Sequence, residues 1–255
     1  MGVYNREVMT AAPQNEEPNW LDYFSGGVPT GEFFRLTLTD LSSFIERSSK
    51  ERGINRLNEV CFIGLLSYFE AFCKDHFASI LNIEPSLLDR LAEQGQDTTI
   101  NPSLLVAFGT AWPYKLGFVV SEKFDFGTAK KINALYGAML QVTPFSKDEA
   151  RAYEGMLGDR NLLVHHGGTF TASYLRQGKV DADGMRGRAF LDSLIVTADY
   201  FDHHLEFITN MAKKILRGTH AALTKYIDET GLKYSYSEER QKAKDSFLWW
   251  GIEKI

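Results

Sequence analysis

"INRLNEVCFIGLLSYFEAFCKDHFASILN", residues 54–82, decides the fold. Leu66, Phe69, Cys73, Phe77 and Ile80 recur at steps of three and four, the spacing that lines one face of an α-helix. A strand would alternate every second residue, and this stretch does not. The spacing predicts a helix from Ile54 to about Asn82, long enough to be the spine of a helical bundle. Cys61 and Cys73 then sit roughly 18 Å apart along it at about 1.5 Å per residue, too far to pair with each other. One residue breaks the apolar stripe. Glu70 lies four after Leu66 and three before Cys73, where a carboxylate needs a partner.

The same reading extends along the chain. Residues 1–35 are rich in Gly, Pro, Asn and Glu and read as a partly ordered arm, with Trp20, Tyr23 and Phe24 able to dock on a core. Residues 36–255 read as one α-helical domain. Its expected helices run from an N-cap at Asp40 to Lys50, then 54–82, and from Pro85 to about Gly95. Residues 102–121, interrupted by Gly109, Pro113 and Gly117, read as helix, turn, helix. Helices are further expected over 128–141, 147–166, about 188–216 with an extension towards Thr230, and 237–250. Gly167 and Gly168 should stop the 147–166 helix. Residues 169–185 carry turn formers and some alternation, as in a short hairpin or an irregular loop. The sum is an all-α bundle.

The chain has 255 residues, enough to bury a sizeable core without disulfides or metals. Its net charge of −5 argues against a broad nucleic-acid-coating surface but not against a local RNA site. No run of about 18 apolar residues appears, and the start carries no signal-peptide core, so a cytoplasmic protein with no membrane partner is expected.

A second anomaly stands at "DRNLLVHH", residues 159–166. At 100° per residue Arg160 shares the apolar face of Met156, Leu157, Leu163 and Val164. Asn161 and His165, four apart, are neighbours on the adjoining face, and His166 falls below Asp159. Two opposite charges misplaced on two core helices suggest a Glu70–Arg160 ion pair. Against a functional reading stands a plain one: a structural Arg–Glu pair and a histidine favoured at a helix C-terminus by the dipole.

"RNLLVHHGG" resembles the signature of the HEPN superfamily: Arg, a polar residue, three more, then His, ending a helix of an α-helical bundle. "LLSYFEAFCKDHF", residues 65–77, is similar to the acidic-residue helix of RiboL-PSP-like and abortive-infection HEPN groups. The resemblance covers these two helices directly. It implies a HEPN-like helical bundle, acting as a homodimer, that cleaves RNA, tRNA included, without metal or other cofactor. Arg160 and His165 become the catalytic pair and Asn161 the polar helper, with Glu70 and Asp159 in support. His166 fits the looser spacing equally well. Such cleavage needs a base for the ribose 2′-OH, an acid for the leaving 5′-oxygen and a fixed cation on the phosphorus, and it leaves a 2′,3′-cyclic phosphate. Histidine, which titrates near neutral pH, and arginine suit those tasks. The family also implies a toxin or anti-phage role, with an antitoxin or activator protein as partner. Gly167 stands where toxins paired with a nucleotidyltransferase antitoxin carry Tyr, which argues against that particular pairing. The alternative is a non-catalytic HEPN module that binds a nucleotide or a protein.

Other clusters are weaker. Asp199 and His203, and Asp202 and Glu206, are four apart and could hold a metal, but the paired Glu-x-x-His motifs of a di-metal bundle are missing, so a solvated face and no metal are expected. Lys130, Lys131, Lys213 and Lys214 are the first candidates for phosphate contacts. Trp249 and Trp250 could stack on bases or dock on the core.

Overall fold

The computed structural model describes residues 18–48, 56–176, 193–232 and 236–251. The fold is all-α, and among the described residues there is no strand, only an isolated bridge between Thr169 and Ser193. No described helix is long and apolar enough to cross a membrane. The helices are α1 (Thr30–Ser48), α2 (Arg56–Ile83), α3 (Leu87–Glu93), α4 (Pro102–Ala107), α5 (Leu116–Ser121), α6 (Ala129–Leu140), α7 (Lys147–His166), α8 (Ala172–Arg176), α9 (Ala198–Glu229) and α10 (Glu238–Asp245).

The spine is α2, as its periodicity predicts. Leu66, Phe69, Cys73, Phe77 and Ile80 are all buried, and α1, α5, α7 and α9 pack around them. α7 begins with a capping box, in which Ser146 accepts from the Glu149 N–H and Glu149 reaches back to the Ser146 N–H. It ends on Gly167 at φ +59°, whose N–H and that of Gly168 satisfy the Leu163 and Leu162 carbonyls.

Two helices start elsewhere than expected. α1 begins at Thr30, ten residues before Asp40. α9 begins at Ala198 behind an N-cap at Thr197; residues 193–197 are not helical, and 188–192 lie outside the described residues. The expected arm is built into the domain as far as it is described: Tyr23 and Phe24 are buried, and Trp20 lies edge-on to Trp249 at 5.1 Å. Where a hairpin or loop was expected, residues 172–176 form α8, and 177–192 lie outside the described residues.

One buried polar node ties three helices together. His76 of α2 is fully buried, with Nδ1 3.1 Å from Thr30 Oγ1 and Nε2 2.8 Å from Thr219 Oγ1. Thr219 gives its own proton to the Ile215 and Leu216 carbonyls, so it must accept from His76 Nε2–H, and Nδ1 accepts from Thr30. The imidazole is neutral and fully satisfied, and burial holds its pKa down at about 3. The unfolded chain therefore takes up this proton near pH 6.5 while the folded chain does not. The stability this group contributes is present above pH 6.5 and lost as pH falls from there towards 3, at about 1.4 kcal/mol per pH unit. Urea titrations of wild type and His76→Gln between pH 7 and 5 are expected to show a slope shallower by that amount in the variant. Equal slopes would contradict it.

Candidate active site

The C-terminal half of α7 is one wall of an open cleft of about 490 Å³. Glu154, Leu157, Gly158, Asn161 and His165 follow one another at helical spacing along it, and Arg160 and His166 flank them. Thr171, Ser173 and Tyr174, on and just before α8, form a second wall. Gly127 and Thr128, at the start of α6, close a third side. Arg160, Asn161, His165 and His166 thus meet in one cavity, with Asn161 and both histidines exposed.

The walls are held from behind. Leu194 N–H donates to Gly168 O at 2.8 Å, fixing the turn after α7. Asp159, on the side of α7 beside the cleft, accepts hydrogen bonds from the hydroxyls of Tyr174 and Tyr200, pinning α8 and α9 to the motif helix. Burial, with the Asp159 carboxylate, pushes both tyrosine hydroxyls to higher pKa, so they remain donors. Asp159 supports the site as scaffold. Asp159→Ala leaves two largely buried hydroxyls without their acceptor and is expected to cost about 3 kcal/mol, measured by urea denaturation. A loss under about 0.5 kcal/mol would show that these bonds hold nothing.

The expected Glu70–Arg160 ion pair is not formed: among the described residues no carboxylate lies within 4.0 Å of the Arg160 guanidinium. The reason is Tyr153. It sits two turns before Arg160 on the same face of α7, fully buried against Phe69 and Phe145 at 5.5 and 5.3 Å between rings. Burial above all raises the pKa of its hydroxyl; Cys73 and Glu70 add to the rise and Arg160 opposes it, so the phenol senses both charges. Glu70 instead lies under the 124–128 loop, its Oε1 3.6 Å from where a Cβ on Gly127 would stand. Arg160 is half-buried, and its Nε is shut from solvent with no hydrogen-bond partner.

The lysines divide. Lys131 pairs with Asp125 beside the α6 end of the cleft, and Lys130 is exposed next to it. Lys214 binds Glu149 at 2.6 Å, at the far end of α7, and Lys213 lies over the Trp250 ring, so neither lines the cleft. Trp250 packs edge-on against Phe34, and Trp249 touches Trp20 while remaining 43% exposed. His204 is wedged between Phe62 and Tyr200, and burial lowers its pKa to about 4; His220 faces Asp245 at 3.1 Å. The Asp199–Glu206 cluster gathers no metal-binding set among the described residues. Sequence reading missed the Thr128 and Thr171–Tyr174 walls. The 171–174 wall had one sequence signal, the run of hydroxyl residues soon after the Gly-Gly stop, and Thr128 had none.

No family model, curated protein or solved structure matches this chain.

Proposed function

We propose that the chain is a HEPN-like endoribonuclease that cleaves RNA without a metal. The observation that carries this reading is the meeting of Arg160, Asn161, His165 and His166 in one open cleft. A phosphodiester supplies anionic oxygens for a guanidinium that pairs with no carboxylate among the described residues. One imidazole takes the ribose 2′-OH proton and an imidazolium returns a proton to the leaving 5′-oxygen. Arg160 neutralises the charge that builds on the phosphorus, and Asn161 Nδ2 donates beside it. His165 and His166 share the first two roles in one of two orders.

The working unit is a homodimer. Val164 on α7 and Leu175 on α8 are exposed apolar side chains on the two elements that wall the cleft, the kind of surface a second copy covers. The biological setting that goes with this reading is a toxin or defence effector in the cytoplasm, controlled by an antitoxin or activator protein. Incubation with a panel of tRNA and single-stranded RNA in EDTA tests the chemistry. Cleavage leaving 2′,3′-cyclic phosphate and 5′-hydroxyl ends is expected, together with resistance of RNA carrying 2′-deoxyribose at the cut position. Cleavage that persists at the 2′-deoxy position would overturn the mechanism. A folded dimer that binds RNA or a nucleotide without cutting would favour the non-catalytic module.

A further inference from the structure

A second cavity, of about 160 Å³, opens between the Ser25–Gly27 turn, α1 and α2. It lies on the other side of α2 from Glu70. Tyr68, Ala71, Phe72 and Asp75, spaced at three and four along α2, line one side, and Phe33 and Phe34 of α1 the other. Phe34 and Phe72 stack at 4.7 Å as its aromatic floor. Phe33 and Tyr68, 56% and 48% exposed, stand at its mouth, where neither ring is spent on the core.

The charged group that lines this cavity is Asp75, alongside the hydroxyl residues Ser25, Thr30 and Thr37. Its carboxylate is partly buried and makes no hydrogen bond or ion pair within 4.0 Å among the described residues. Its backbone carbonyl is occupied, accepting from Ser79 Oγ at 2.8 Å. Asp75 also lines an adjoining groove, together with Ser25 and Gly26. Lys74 lines that groove, and Lys115 there is already bound to the carbonyls of Asp22 and Phe24. Burial raises the pKa of Asp75, with Lys74 opposing, as expected for a carboxylate that lacks a close cation.

We propose that this cavity is a binding site for a small organic ammonium ion. Aromatic faces attract a cation through their quadrupoles, and a half-buried carboxylate gives it a counter-charge. An anion would meet Asp75 and be repelled. A neutral apolar ligand would leave the carboxylate desolvated and unpaired, which is costly. The cavity is smaller than the roughly 300–1,000 Å³ of drug-sized clefts, so the ligand is a compact one. This site is independent of the α7 cleft and stands whether or not the chain cuts RNA.

Choline and 3,3-dimethylbutan-1-ol have the same shape and differ in charge, and they are the probes. By isothermal titration calorimetry, choline is expected to bind saturably and the neutral alcohol at least about tenfold more weakly. Asp75→Asn should bring choline down to the alcohol's affinity and leave the alcohol unchanged. A change that merely disturbed folding would weaken both. Phe33→Ala, at an exposed position, should weaken choline while the circular dichroism spectrum and Tm stay as in wild type. Equal affinity for the two probes, undiminished choline binding by Asp75→Asn, or no saturable choline binding up to about 10 mM would overturn the proposal.

Discussion

Replacing Arg160 by alanine is expected to lower RNA cleavage about 10³-fold and to leave Tm close to that of wild type. The first half follows from its place in the cleft with His165 and Asn161, where a fixed cation stabilises charge that appears only in the transition state. The second half follows from what Arg160 does not do. It makes no ion pair, and its Nε is buried without an acceptor, so truncation removes an unsatisfied donor instead of breaking a bond. Had Arg160 been locked to Glu70, the same substitution would strand a carboxylate and cost about 3–5 kcal/mol. Single-turnover cleavage and thermal denaturation of one preparation separate the two accounts. A large fall in Tm would mean that the residue is structural.

The largest effect on stability is expected from Gly117→Ala. A Cβ on Gly117 would lie 2.0 Å from the Ala78 carbonyl oxygen and 2.9 Å from Asn82 Oδ1. The first of these is backbone, so no rotamer change relieves the clash. α5 would have to lift off α2, breaking the 2.7 Å bond from Gly117 N–H to Asn82 Oδ1. Asn82 also donates to Tyr23 O at 3.0 Å, so the strain spreads to the segment before α1. A loss of roughly 3 kcal/mol or more, or about 10 °C in Tm, is expected. Gly155→Ala is the control: a Cβ there meets nothing within 4 Å, and alanine in mid-helix should be neutral or slightly stabilising. Equal Tm values for the two variants would contradict the close α2–α5 approach.

Gly117 also shows where sequence reading stops. As a letter in the chain it looks like a helix breaker, yet it sits inside α5, chosen for contact with another helix. α2 and α7, by contrast, are legible to within about two residues, because apolar periodicity and a Gly-Gly stop are local signals. The expected start of α1 is late because Asp40 has the look of an N-cap and the residues up to 35 that of an arm, and tertiary contacts such as Thr30 with His76 override those local signals. Leu194 and Val196 fall within the helix expected from about residue 188, but they are buried in non-helical chain ahead of Thr197.

The candidate site divides in the same way. The α7 residues share a cleft because one helix carries them, which spacing alone dictates. The Glu70–Arg160 pair failed because two misplaced charges were matched without regard to the bulk of Tyr153 on the same face. The walls from Thr128 and Tyr174 depend on packing between distant segments, and so does the Asp75 cavity. Tyr68, Ala71, Phe72 and Asp75 share one helical face in the sequence, but only the fold leaves two of the surrounding aromatic rings exposed.

The most direct measurement compares wild type with a His165→Ala, His166→Ala double variant on one RNA substrate in EDTA. Both histidines are exposed on the last turn of α7, so the variant should fold as wild type does by circular dichroism and Tm. Cleavage that falls by about 10³-fold or more in the variant is the result expected of an imidazole acid–base pair. Equal cleavage by two equally folded proteins would place the chemistry outside the α7 cleft and contradict the account.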